Sequence, residues 1–581
     1  MLQSKESTTG INTAADDYDY TQGVRRHLDY PDKTMAQMVE DIARQYPDAP
    51  AYDFYGRRIS YSQMLRNIEQ AARALRNYGV SRDEAVTICL PNIPQAIETF
   101  YAVDRIGAVA NMVHPLSARD EIAYYLNYAK SRIIITLDMF YEKVMLACEA
   151  VTHPVTIVTI RMQEVLPLHL KIAYIVKEGR KHLCWPRRQD VAEGRAMLWK
   201  NLLKKDDGKE LPPHIFDKNH TAVILYSGGT PGKPKGVCLS DLNFNALGIQ
   251  AREVIQTNFR PGLTMLSCMP LFHGFGLGIN IHTVLIYGAC CILMPTFNIS
   301  TYAKMLIGKR PNFIAGVPTI FEALLNTPAL EGEDLSFLMG MFSGGDSLAL
   351  PLKEMVDAFL HAHGASIQVR EGYGLTECVT ASCLTPKDTY KPHSIGLPFP
   401  DTFYEIVRPG TDEVLPANEE GEIVLKGPTL MLGYLDEPEE TAAAMRRRSD
   451  GDIWLYTGDL GRMDEEGYVY FSQRMKRMII TNGYNVYPGR LEDAIDSCDI
   501  VSYSCEIGVP DQRRGQRIKA FVVLRDGIAQ DDESKKIIMD HIRRQVAGYA
   551  LPKEIEFRQQ LPRTLVGKVA YRQLEEQEIR E

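Results

Sequence analysis

Two apolar periods alternate early in this chain, and that alternation limits the fold more than any other feature. Tyr61, Leu65, Ile68, Ala72 and Leu75 recur at spacings of four and three, one face of an amphipathic helix that Gly79 ends. Residues 85–90 (AVTICL) then form an apolar run of strand length, 95–106 a second helix, and 108–113 and 132–136 further strands. Strands alternating with helices build βαβ units, so an α/β fold with mostly parallel sheets and helices on their faces is expected. A strand-rich stretch at 402–425, with turns at Pro409–Gly410 and Glu420–Gly421, adds a β-rich subdomain. The 581 residues are enough for more than one core. A charged, turn-like segment near Arg474 precedes a fresh start, MIITNGYNVYP, and about a hundred residues of α+β pattern. The expected domains are therefore 1–475 and a small 476–581.

Charge and cysteine usage narrow the function classes. With 65 Lys and Arg against 74 Asp and Glu, the net charge of −9 argues against nucleic acid as a partner. The eleven cysteines form no paired CxxC sets, which argues against a structural zinc site and fits reduced thiols. The polar, acidic N-terminus has the pattern of neither a signal peptide nor an anchor. The apolar stretch 277–295 is broken by Gly278, Asn280, His282 and Gly288, and reads as a buried helix, turn and strand. A cytoplasmic location is expected. Residues 166–181 are apolar with a basic end, followed by Trp185, Arg187 and Arg188. They form either a surface helix packed on its own domain or a peripheral membrane contact (166–188) that collects a lipid substrate.

Residues 226–237 (YSGGTPGKPKGV) carry the most chemistry. Glycines let backbone N–H groups turn toward an anion, hydroxyls add donors and lysines add charge. This is not a Walker A loop, because Lys233 is followed by proline rather than Ser or Thr. Alone it is equally a solvated glycine-rich turn. Downstream come 270–278 (PLFHGFGLG), 342–350 (FSGGDSLAL), 371–377 (EGYGLTE), 421–427 (GEIVLKG), 454–474 (WLYTGDLGRMDEEGYVYFSQR) and 562–574 (PRTLVGKVAYRQL).

In order and spacing, these segments resemble the motifs of the adenylate-forming superfamily: acyl- and aryl-CoA synthetases, peptide-synthetase adenylation domains and luciferases. The resemblance spans about residues 30–574. It implies a large N-terminal adenylating domain and a small mobile C-terminal domain. It also implies that Ser227, Gly228, Gly229, Thr230, Gly232 and Lys235 contact the triphosphate, and that His273 gates the carboxylate site. By the same resemblance, the backbone at Gly344 and Gly345 contacts adenine, Tyr373 stacks on it, Thr376 reaches the α-phosphate and Glu377 binds Mg2+. Asp459 accepts both ribose hydroxyls, and Arg474 lies near ribose and phosphate. Lys476 takes the hinge position, Gly483 lines the pantetheine passage, and Lys568 bridges the substrate carboxylate and the α-phosphate. Pro231 replaces a usual threonine, Arg490 a usual glutamate and Tyr571 a common arginine.

The implied reaction joins a carboxylic acid to ATP with Mg2+, releases pyrophosphate, and passes the acyl group from acyl-AMP to coenzyme A. The overall pattern leans toward medium- or long-chain fatty acids, with residues 315–325 expected on the pocket wall. Aryl acids, a carrier protein as acyl acceptor, and a non-catalytic nucleotide- or lipid-binding homologue are the alternatives.

Overall fold

The computed structural model describes residues 23–176, 186–227, 234–257, 259–477, 479–481, 484–486, 488–511, 514–543, 545–546, 548–564 and 569–580. Two large sheets dominate. In the first, Val369–Tyr373, Gly340–Ser343, Phe313–Gly316, Thr264–Ser267, Cys290–Leu293 and Pro50–Phe54 lie side by side in parallel. Antiparallel strands flank them at both edges. In the second, Val223–Ser227, Val109–Met112, Ala85–Cys89, Ile133–Leu137, Thr156–Ile160 and Ala196–Leu198 run parallel. Lys235–Leu239 pairs antiparallel with Val223–Ser227, and Gly433–Tyr434 continues that edge.

The helices form where the apolar period places them. Tyr61–Tyr78 starts from the Ser60 cap and ends at Gly79, whose φ of 110° is the left-handed conformation glycine accepts without strain. Together with Met35–Gln45, Pro94–Arg105 and Asp241–Ile255 it joins one core shared by both sheets. Residues 275–285 also lie there, beginning as a π-helical stretch, Phe275–His282, and leading through Thr283–Leu285 to the buried strand Cys290–Leu293. Among the described residues no helix is long and apolar enough to cross a membrane.

A third sheet orders Phe403–Val407, Gly421–Lys426, Ile453–Met463 and Met445–Arg447, with Val469–Arg474 on Ile453–Met463. The expected turn at Glu420–Gly421 is displaced: Asn418 takes the positive φ of 70°, and Gly421 is already paired with Gly461. Asparagine tolerates the left-handed region, so it makes the turn and leaves the glycine to the strand. A fourth sheet starts at Ile479–Thr481 and has its own apolar clusters, which include Val501, Val522 and Ile538.

The segment from 166 onward also differs in its bounds. A short helix, Met162–Val165, comes first, and Leu168–Tyr174 follows Pro167. Leu168, Ile172 and Val176 are 73%, 59% and 78% exposed. Leu168 and Ile172, four apart, share one row on the helix surface, and Val176 follows just past its end.

Candidate active site

The carboxyl ends of the parallel strands open onto one cavity of about 2230 Å³. In open α/β sheets ligands bind in the crevice outside those ends. Strand Val223–Ser227 delivers Ser227, Gly340–Ser343 runs into Gly344 and Gly345, and Val369–Tyr373 ends on Tyr373. All of these line the cavity, as do Lys235, His273, Thr376, Glu377, Asp459 and Arg474. Every expected site residue that the structure describes therefore faces one space. Gly228, Gly229, Thr230, Gly232, Gly483 and Lys568 lie outside the described residues.

Antiparallel pairing sets Asp459 opposite Arg474, and the guanidinium Nε stands 3.4 Å from its Oδ1. Asp459 is only 2% exposed, and its Oδ2 accepts the Tyr373 hydroxyl at 2.8 Å. Burial and that neighbouring carboxylate push the Tyr373 phenol well above its ordinary pKa. The Tyr373 ring is tilted against Phe471, with centroids 5.9 Å apart. A flat aromatic surface thus adjoins a buried carboxylate able to take two donors.

A second group meets at the phosphate end. Strand Gly433–Tyr434 pairs with Lys235–Leu239, which puts Tyr434 beside Lys235. The Tyr434 hydroxyl donates to Glu377 Oε1 at 2.9 Å, and the Glu377 carbonyl accepts from the Met431 N–H at 2.8 Å. Lys235 Nζ lies 4.8 Å from the Tyr434 ring centroid and 2.5 Å from Glu440 Oε2. A cation and a carboxylate are thereby held side by side on the cavity wall. The Glu377 oxygens are the hard donors that Mg2+ takes.

The turn after Glu377 is strained. Val379 sits at φ 65°, ψ −60°, and the Thr380 N–H donates to the Cys378 carbonyl at 2.8 Å, closing a γ-turn around it. A β-branched residue there costs free energy and persists only where its surroundings enforce it. Gly274 provides that enforcement, since a Cβ on it would lie 1.7 Å from the Val379 carbonyl oxygen. Only glycine lets the His273 loop press this closely onto the Thr376–Glu377 turn. The Phe275 N–H donates to His273 Nδ1 at 3.1 Å and orients the ring.

Comparison with known proteins places this site in a family. Residues 39–435 match the AMP-binding enzyme family, and 490–568 match the AMP-binding enzyme C-terminal domain. This chain belongs to the AMP-binding enzymes. It is 34% identical to a long-chain-fatty-acid–CoA ligase of Bacillus subtilis (strain 168), over 96% of this chain and 97% of that protein. ATP-bound MatB from Rhodopseudomonas palustris superposes with a TM-score of 0.78 at 25% identity, covering 93% of this chain and 98% of that one. A Mycobacterium tuberculosis fatty acyl CoA synthetase gives 0.69 at 25% identity, covering 94% and 98%.

Several further wall residues of this AMP-binding enzyme had no place in the expected site, although Glu371 and Tyr571 stand inside two of the motifs. His114 follows strand Val109–Met112 and is tilted against Phe272 with ring centroids 4.0 Å apart. Burial, helped by the Lys143 ammonium, lowers its pKa to about 4, so the imidazole is neutral at physiological pH. Its position at the end of a parallel strand was the available clue. Glu371 is buried on the wall, where it accepts the Leu348 N–H at 3.0 Å. Burial raises its carboxyl to about 7. Arg477 pairs with Glu492, and its guanidinium lies 4.8 Å from the Tyr571 ring centroid. The unusual Tyr571 is thus a stacking platform. As expected for 315–325, Pro318, Thr319, Glu322 and Leu325 line the cavity.

Proposed function

We propose that this AMP-binding enzyme is an ATP-dependent fatty acid:CoA ligase acting on long-chain acids. The observation that carries the reading is the convergence of Ser227, Lys235, His273, Tyr373, Thr376, Glu377, Asp459 and Arg474 on one cavity. Its volume of about 2230 Å³ exceeds the roughly 300–1,000 Å³ of a pocket for one small ligand, which suits a nucleotide and an acyl chain together. Val254, Ile255, Phe275, Ile279, Leu325 and Met355 supply apolar wall for an alkyl chain. The names of the Bacillus subtilis and Mycobacterium tuberculosis relatives point the same way.

A carboxylate and an α-phosphate repel, so the site must offset charge and fix an in-line approach. In this reading Asp459 and Tyr373 hold the nucleoside, and Lys235 with Ser227 takes the polyphosphate. Thr376 and Lys568 stabilise the α-phosphoryl as the acid's oxygen attacks, and His273 shapes the carboxylate entrance. Glu377 would hold Mg2+, which supplies positive charge to the polyphosphate. Pyrophosphate leaves; then the coenzyme A thiol attacks the acyl carbon and AMP leaves. Residues 1–475 form the adenylating body, and 476–581 are the part that changes pose between the two steps, with Gly483 on the thiol's path. The exposed row Leu168 and Ile172, with Val176 just past it, favours contact with a lipid surface, where long-chain acids partition.

The test is thioester formation by purified protein with ATP, Mg2+ and coenzyme A, using short, medium and long-chain fatty acids and aromatic acids. Long-chain acyl-CoA as the preferred product supports the proposal. Aryl-CoA alone, or transfer only to a carrier protein, would replace it.

A further inference from the structure

Away from the nucleotide cavity, four buried polar side chains face one another. They are Asp104 at the end of helix Pro94–Arg105, Asp241 at the start of helix Asp241–Ile255, and His214 and His220 from the connection before strand Val223–Ser227. Their exposures are 1%, 0%, 7% and 6%. None of the four lines the large cavity.

Each has one side-chain atom engaged or hemmed in and another that meets no partner outside the group. Asp241 Oδ1 accepts the Met35 N–H and Asp104 Oδ2 accepts the Ala36 N–H, both at 2.7 Å, so the two carboxyls hold the first turn of helix Met35–Gln45. Asp241 Oδ2 and Asp104 Oδ1 meet no N–H or O–H donor from the rest of the chain, and the two carboxyls lie near enough to hydrogen-bond to each other through a shared proton. His220 Nε2 stands 3.1 Å from the Gly107 carbonyl oxygen and 3.1 Å from Asp83 Oδ1. Both are acceptors, so Nε2 carries a proton, and Nδ1 is the ring atom left for another partner. His220 Nδ1 and His214 Nε2 are likewise buried without a partner. The His214 ring is held against Gly107, where a Cβ would lie 2.9 Å from it, and the His214 carbonyl accepts from Gln37 Nε2. One donor atom each from His214, His220 and Asp241 lies within 4.8 Å of the other two.

Unpaired buried polar atoms cost free energy, and the three donor atoms of His214, His220 and Asp241 gathered together are not an arrangement a core keeps without compensation. We infer that His214, His220 and Asp241 bind a divalent transition-metal ion of the Zn2+ type. Two imidazole nitrogens with a carboxylate oxygen are a donor set for zinc, whereas Mg2+ and Ca2+ take oxygen alone. A tetrahedral ion at about 2.0–2.1 Å would draw its donors to separations of roughly 3.3 Å, closer than the 4.8 Å within which they lie. The Gly107 carbonyl and Asp83 on the far nitrogen of His220 orient that ligand from outside. The cysteine spacing argues against a structural zinc site, and the present proposal departs from that expectation with a site that uses no thiolate. Its role is structural: it ties helix Asp241–Ile255 to the connection that leads into the phosphate loop.

The test uses full-length protein stripped with a chelator and then given Zn2+ or Co2+ alone. After gel filtration the wild type should retain about one metal per chain, and the Co2+ form should show the intense visible absorption of a tetrahedral site. Thermal unfolding should shift up by about 5 °C on Zn2+ addition. The double variant His214→Gln/His220→Gln should lose retention, absorption and shift together. Wild type that retains no Zn2+, or binds Co2+ without that absorption, overturns the inference without recourse to any variant. So does a folded double variant that retains and responds to the metal as wild type does; the carboxyl pair would then simply share a proton.

Discussion

Asp459→Asn changes charge without changing shape, which makes it a sharp probe of the ribose assignment. The carboxylate is 2% exposed, with the Tyr373 hydroxyl at 2.8 Å and Arg474 at 3.4 Å. An amide keeps one acceptor oxygen and turns the other into a donor, so one of two ribose hydroxyls loses its charged partner. The Tyr373 hydroxyl can rotate to accept from the new amide, and the Arg474 side chain, 44% exposed, keeps its water, so the fold should hold. A hydrogen bond to a charged group contributes roughly 1.5–3 kcal/mol. ATP and AMP should therefore each bind about 10- to 150-fold more weakly. Calorimetric titration with AMP is the assay, and pyrophosphate inhibition, which involves no ribose, is the control that should not move. AMP affinity within about two-fold of wild type, in protein with an unchanged Tm, would refute the assignment.

Three further outcomes follow from the same structure. Lys568→Ala should abolish acid-dependent pyrophosphate release yet still convert supplied acyl-AMP to acyl-CoA; loss of both steps in folded protein would contradict two separate poses. The Glu371 carboxyl rises from an ordinary 4.5 to about 7 chiefly through burial. The folded protein thus holds a proton that the unfolded chain has released, and stability falls as pH rises from about 4.5 to 7. Glu371→Gln should remove about 3 kcal/mol of that fall in denaturant titrations; parallel wild-type and variant curves would refute it. The Leu168→Glu/Ile172→Glu variant should lose at least ten-fold in co-sedimentation with anionic vesicles, since each buried apolar side chain contributes about 1.5–3 kcal/mol. Its turnover of a water-soluble acid should stay as in wild type. Equal sedimentation would dismiss the lipid-facing row.

Local pattern and cavity wall were legible in the sequence to different degrees. The four-and-three spacing of Tyr61–Leu75 and the stop at Gly79 correspond to helix Tyr61–Tyr78, because both are governed by residues within a turn of one another. That the strands divide into two large sheets could not be read, since Pro50–Phe54 finds its partner Cys290–Leu293 some 240 residues on. The same limit applies at the site. Tyr373, Glu377 and Asp459 stand in motifs, but the link from Glu377 through Tyr434 to Lys235 depends on an antiparallel edge formed across the chain. His114 and Glu371 acquire their shifted pKa values from burial, which no local pattern encodes. Nor do the buried polar atoms of His214, His220, Asp104 and Asp241 have any sequence signature.

The central claim is that this cavity joins a fatty acid to AMP. Exchange of radiolabelled pyrophosphate into ATP, measured without coenzyme A, tests it most directly, because it reports the first half-reaction alone. Exchange that appears only when a long-chain acid is added, with acyl-AMP recovered from the enzyme, is the predicted result. Absence of exchange with every acid, from folded protein that still binds ATP, would contradict it.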